Sequence, residues 1–316
     1  FNALGAPTTT DGIDSNIAIG SYAMDGFTTE AVASCVAIGS GALSGALEAA
    51  ASGTIAIGQD ALTALTSGAE NVAIGHQAGD ALSTQSGNTL LGYKSGSALT
   101  TGDGQNTFIG NESGEALTIG QRNVAIGYEV FTAGAVESND NVAIGHRALN
   151  STSTAAVGGS VAIGAGALTA LNHAEAAGGI AIGHYAGAAI TSGIGNVAIG
   201  YQALNVEDDG DFNTAVGHQA LTAQTGITGT VKNTAVGYQA GMAITKGRYN
   251  VAIGTGALIS EDVGDESLAI GVDSLGSQNS DSDNEVTANV AVGKDTGYYN
   301  VLGKNNTYLG HKAGQG

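Results

Sequence analysis

A five-residue phrase recurs along the chain, and within it apolar character follows a two-residue period. The phrase reads Asn, Val or Thr, Ala, Ile or Val, Gly, as in Asn71-Val72-Ala73-Ile74-Gly75 and Asn233-Thr234-Ala235-Val236-Gly237. With looser variants there are seventeen copies, whose glycines run from Gly20 to Gly310 at intervals of 17 to 20 residues, with one interval of 22 before Gly293. The positions one and three before the Gly are β-branched or Leu in every copy, and the position between them is Ala in fourteen. Such alternation predicts a short β-strand that ends at the Gly. Both strand faces are apolar, so both are expected to be buried. The third residue after the Gly is again small, Ala in twelve copies. Many copies add a second apolar step, such as Ala81-Leu82 or Ala243-Ile244, before a polar turn of variable length.

Self-similarity at this period is the signature of a stacked-coil architecture. The fold expected is all-β: a parallel β-solenoid of about 17 coils of 17–22 residues, each a strand, a tight Gly corner, a second strand and a variable loop. The repeat covers residues 1–316 as one continuous domain, with Phe1-Asn2-Ala3-Leu4-Gly5 a worn further copy. The bulky Val/Ile face is expected to fill each coil. The Ala face, a flat strip of methyl groups, is expected to pack against identical strips of other copies, three around an axis, with a dimer as the alternative. The slot four before the Gly is Asn in twelve copies. Asn suits a corner because it tolerates left-handed backbone angles, and stacked amides can bond along the coils as a ladder. Cys35 fills one of these slots, which favours a structural role over a nucleophilic one.

Composition removes several function classes. Gly is 52 of 316 residues with a single Pro, so backbones can approach closely but a thick core of large side chains cannot be filled. The glycines do not fall at every third position, which excludes collagen. Hydrophobic residues at 42% exclude disorder. The formal net charge of −19 disfavours nucleic acid and anionic membrane surfaces as partners. No apolar run approaches the ~20 residues of a membrane-spanning helix, and one cysteine supplies no disulfide framework.

The phrase Asn233-Thr234-Ala235-Val236-Gly237-Tyr238-Gln239-Ala240 is similar to the N-T-A-V-G-Y-Q-A repeats of bacteriophage tail-fibre and related surface proteins. The repeat also resembles the head repeats of trimeric autotransporter adhesins of the YadA type, whose phrase is S-V-A-I-G-x-x-A. The resemblance extends over almost the whole chain. It implies a left-handed parallel β-roll, trimerised along its length, serving as an extracellular stalk or adhesive head on a virion or bacterial surface. A glycan or protein receptor on a host surface is then the implied partner. The repeat here is longer than in the adhesin heads, so larger corners are expected.

Candidate chemistry is thin. His76, His146, His184, His218 and His311 all occupy the slot directly after the motif Gly, and Tyr93, Tyr128, Tyr201 and Tyr238 fill the same slot in other copies; only His173 lies elsewhere. A slot that takes either ring calls for a flat amphipathic side chain, which points to packing or receptor contact rather than to a metal ligand. Three acidic loops, Glu207-Asp208-Asp209-Gly210-Asp211, Glu261-Asp262-Val263-Gly264-Asp265 and Asp281-Ser282-Asp283-Asn284-Glu285, read as solvated turns, with calcium as the alternative. No phosphate-cradling loop or nucleophile elbow is present. No catalytic, cofactor-binding or metal-ligating residue is therefore assigned, and the expected function is a non-enzymatic fibre or adhesin. Two alternatives are a self-stacking extracellular filament and, less favoured because the acids sit in loops, a glycan-degrading tailspike-like helix. The phrase at Phe1 and the mid-repeat stop at Gly316 lead to the expectation of a segment of a longer fibre.

Overall fold

The computed structural model describes residues 15–26, 32–100, 102–132, 138–150, 157–173, 178–225 and 229–315. The phrase at Phe1–Gly5 lies outside them. Two compact units divide the chain, Phe1–Gly159 and Ser160–Gly316, and each is a parallel β-solenoid built from the same coil.

In the first unit eight three-residue strands stack in order: Ile17–Ile19, Val36–Ile38, Ile55–Ile57, Val72–Ile74, Thr89–Leu91, Thr107–Ile109, Val124–Ile126 and Val142–Ile144. Each pairs in parallel with the next, and the register sets like on like: Ala37 on Ala56, Ala56 on Ala73, Ala125 on Ala143. The second unit repeats the arrangement with nine strands, from Val161–Ile163 to Thr307–Leu309, again with Ala over Ala through most of the ladder. Short two-residue ladders support the variable loops, such as Gly210–Asp211 against Gly229–Thr230. Among the described residues there is no α-helix; the helical element is a single 3-10 turn at Ala49–Ala51. No helix is long and apolar enough to cross a membrane.

The strand faces are oriented opposite to the sequence expectation. Ala73, Ala125, Ala143 and Ala198 are fully buried inside the coil, while the flanking Val and Ile stand half-exposed on the outside. The Ala strip therefore faces the coil's own interior and is not a surface strip for subunit contact. The reason is width. Across the interior from the strand lie the buried Leu side chains of the other side, such as Leu62, Leu65 and Leu82. A narrow coil has room for Leu on one wall only if the other wall carries methyl groups.

The second strand of the expected coil is also absent among the described residues. After the motif Gly the backbone runs as a series of turns with left-handed residues at every second position. In the coil of Gly58 these are Asp60 at φ 56° and Leu62 at 52°; in the next coil they are Gln77 at 55° and Gly79 at 60°. The turns still stack by hydrogen bonds between coils: Leu62 N donates to Ala78 O at 3.0 Å and Gly79 N to Ser95 O at 2.9 Å. A Leu in this conformation costs about 1–2 kcal/mol. Full burial of its side chain returns about 1.5–3 kcal/mol, so packing wins. Where the slot holds Gly the neighbours fill the space. A Cβ on Gly79 would meet Leu90 Cδ1 at 2.7 Å and Leu62 Cδ2 at 2.9 Å.

The Asn slot forms the expected ladder. In the first unit Asn71, Asn88, Asn106, Asn123 and Asn141 are fully buried. The Oδ1 of each of the first four accepts both the backbone N–H and the side-chain amide of the next Asn, at 2.9–3.1 Å. The remaining amide proton caps a loop carbonyl, as from Asn71 to Gln85 O at 2.9 Å. The left-handed residue is not the Asn but the one before it, for example Glu70 at 56°.

Candidate binding face

Because Ala, Leu and Asn point inward, the main outward positions flanking the motif Gly are three before, one before, one after and two after it. In-register stacking turns these positions into straight rows. The first two rows are aliphatic or Thr, and the third holds the His/Tyr slot.

In the second unit this third row is an unbroken ladder of rings on four successive coils. His184 stacks on Tyr201 with centroids 5.6 Å apart, Tyr201 on His218 at 5.0 Å and His218 on Tyr238 at 5.2 Å, with planes within 2° to 20° of parallel. All four rings are exposed, Tyr201 by 43% and Tyr238 by 50%. Beside it runs a second ladder. Gln219 Nε2 donates to Gln202 Oε1 at 3.1 Å, and Gln239 Nε2 to Gln219 Oε1 at 3.0 Å. Tyr185 continues that row, packed edge-on against His184 at 4.2 Å. The ring slot was visible in the sequence; the glutamine row was not singled out, although Gln two after the Gly in three consecutive coils is a signal of the same kind.

Among its described residues the first unit has two separate stacked pairs, His76 on Tyr93 and Tyr128 on His146, both at 5.6 Å, with Asn111 breaking the row. Its neighbouring row is charged: Asp60, Lys94, Glu112, Glu129 and Arg147. There Arg147 Nε donates to Glu129 Oε2 at 2.6 Å. The hydrogen bond from Tyr128, together with Arg147, holds the Glu129 carboxyl below its ordinary range. His311 lies at the far end of the second unit, 4.0 Å from Asp295, and His173 stands exposed outside the row.

The acidic loops divide into two kinds. Asp281-Ser282-Asp283-Asn284 is exposed, as solvated turns should be. Glu207 and Glu261 are instead fully buried, which corrects the solvated reading for both. They occupy the interior slot seven after the motif Gly, where other coils place Leu65, Leu82 or Ile190. Each folds back to cap its own turn: Glu207 Oε1 accepts from Gly210 N at 2.6 Å, and Glu261 Oε1 from Gly264 N at 2.7 Å. Glu261 Oε2 further accepts from Gln278 Nε2 at 2.7 Å and Ser280 Oγ at 3.2 Å. Glu207 has Gln224 as its side-chain neighbour, and burial outweighs it, pushing the carboxyl above the ordinary range. Carboxylate oxygens of Glu207, Asp208 and Asp209 come within 4.8 Å of one another. With Glu207 Oε1 already committed to backbone N–H groups, the trio falls short of the six to eight oxygens calcium takes, and a capped turn accounts for it.

Cys35 is buried, its backbone N–H bonded to Asn16 Oδ1 at 2.8 Å as part of the ladder. Burial pushes its thiol up, away from the reactive thiolate. In the first unit a shallow cavity of about 190 Å³ beside Asp103, Gln121 and Asn139 offers a single carboxylate and no nucleophile. No protein-family model matches the chain, and no curated protein or solved structure is detectably similar to it.

Proposed function

We propose that this chain is a non-catalytic structural and adhesive protein, a β-solenoid fibre displayed outside the cell on a bacterial surface or a virion, which attaches its bearer to another surface. The observation that carries the reading is where the recurrent residues are spent. Motif Gly, Ala, Leu and Asn all serve the coil's own backbone and interior, so the repeat's chemistry is used in building a regular stack. What is left to face the solvent is a set of straight rows suited to contact, without the convergent polar groups of a reaction centre.

The chain is further proposed to be a homotrimer, joined through the outward aliphatic rows. These rows are aliphatic or Thr, regular and half-exposed, with Ile182, Val236 and Ile253 each 37% exposed. Electron microscopy with antibody labelling of the native source is the test. Filaments or appendages decorated at the surface are expected. Label confined to the cell interior would overturn the reading.

A further inference from the structure

We propose that the ring ladder of the second unit, with the glutamine row beside it, is a binding strip for an extended, uncharged polysaccharide lying along the stacked coils. The inference rests on the adhesive reading and names its ligand class.

Order comes first. Tyr201 and His218 are held by rings on both sides, His184 and Tyr238 by one ring each, and each Gln by its neighbour, so little side-chain freedom is left to lose on binding. Because the rings cover one another's faces, the strip presents edges: Tyr hydroxyls and imidazole nitrogens, flanked by amide groups. Each Gln amide has two N–H donors and a carbonyl with two lone pairs, and the ladder uses only part of them. The outcome is a row of hydrogen-bond donors and acceptors repeating once per coil, with ring centroids 5.0–5.6 Å apart. An extended β-linked sugar chain presents its hydroxyl edge on a closely similar repeat.

Charge selects the class. The chain carries −19 overall, which repels polyanions. Yet the ring and glutamine rows hold no Asp, Glu, Lys or Arg from His184 through Gln239. The corresponding rows of the first unit hold five such residues. A strip kept neutral on an acidic protein fits a ligand that is itself neutral. A second copy of the chain fits less well, because burying these hydroxyls and amides without matched partners would cost about 1–3 kcal/mol each.

The test uses the full chain and defined polymers: insoluble cellulose and chitin as neutral probes, and alginate as the charged one. Cellulose or chitin should retain the protein and alginate should not, with affinity for soluble oligosaccharides rising with their length. Tyr201→Ala with Tyr238→Ala should weaken retention at least tenfold, while Tyr128→Ala on the first unit leaves it unchanged. Tyr201→Phe with Tyr238→Phe keeps the ring packing and should give an intermediate loss, so a folding defect in the Ala pair cannot decide the matter. Failure of the wild-type chain to bind either neutral polymer overturns the proposal, as does undiminished binding by both Tyr pairs. A fall in assembly mass without loss of polysaccharide binding also overturns it, and makes the strip a contact between copies. Adhesion of the wild-type chain to whole cells separates the two claims. If cells hold the wild-type and the Ala pair equally, the strip fails and the adhesive reading stands; if no surface holds the wild-type, the adhesive reading fails.

Discussion

At the residue scale the motif Gly and Glu207 illustrate two ways in which a single position is constrained. Gly92 has φ 141°, and a Cβ added there would lie 2.2 Å from the carbonyl oxygen of Gly110 on the next coil. The backbone region is nearly Gly-only, with a cost on the order of 1–3 kcal/mol for other residues, and the overlap with rigid backbone adds to it. Gly92→Ala should therefore lower the Tm of the first unit by several degrees, measured by calorimetry; an unchanged Tm would show that the coils can part locally without cost. Glu207 is constrained by solvation. Its carboxyl is raised in the folded state, chiefly by burial, so the folded protein holds a proton that the unfolded chain releases. The associated stability is fully present below the unfolded carboxylate range and is lost as pH rises through the raised folded value. Glu207→Gln, which retains the Oε1 acceptor, should make the dependence of Tm on pH shallower over that window. A slope identical to wild type would show that the buried carboxyl does not titrate there. The recurring Gly and Asn were plain in the sequence because each copy repeats them. Burial of Glu207 was not, since Glu-Asp-Asp-Gly-Asp has the composition of an exposed turn and only the coil register places its first residue inside.

At the scale of the element, the strand was legible and its orientation was not. Period-two alternation identifies a strand, but when both faces are apolar it gives no direction, and the habit of placing larger side chains inside pointed the wrong way. The deciding quantity is the width between the two walls of one coil, set by the left-handed turns after the Gly. Those turns were themselves hidden, because Leu62, Leu204 and Leu258 at φ 49–52° hold a conformation Leu rarely adopts. With the Ala wall inside, Ala143→Leu becomes a folding lesion and not an assembly lesion. Overpacking the interior should cost about 1–3 kcal/mol. Thermal unfolding should show the loss, while light scattering on the folded fraction shows unchanged mass; a fall in mass without loss of Tm would restore the Ala strip to the subunit contact.

For the whole molecule, net charge and surface pattern pull in opposite directions, and their balance tests the proposed assembly. Each chain carries −19, so copies repel one another, whereas the outward aliphatic rows attract through apolar burial at about 25 cal/mol per Å². A contact through those rows gains nothing from opposite charges, and added salt screens only the repulsion, over a Debye length of about 8 Å at physiological ionic strength. Assembly should accordingly strengthen as salt is raised, the reverse of what a contact built on ion pairs would do. The rows themselves are probed by Ile199→Lys with Val216→Lys, two outward positions on adjacent coils. Neither side chain lies in the coil interior, so the folded chain should survive. Two buried ammonium groups per copy facing their counterparts across the contact would cost several kcal/mol each, and light scattering should report the mass of a single chain. Retention of the wild-type mass by this variant, or dissociation of the wild type on adding salt, would place the contact elsewhere on the coil.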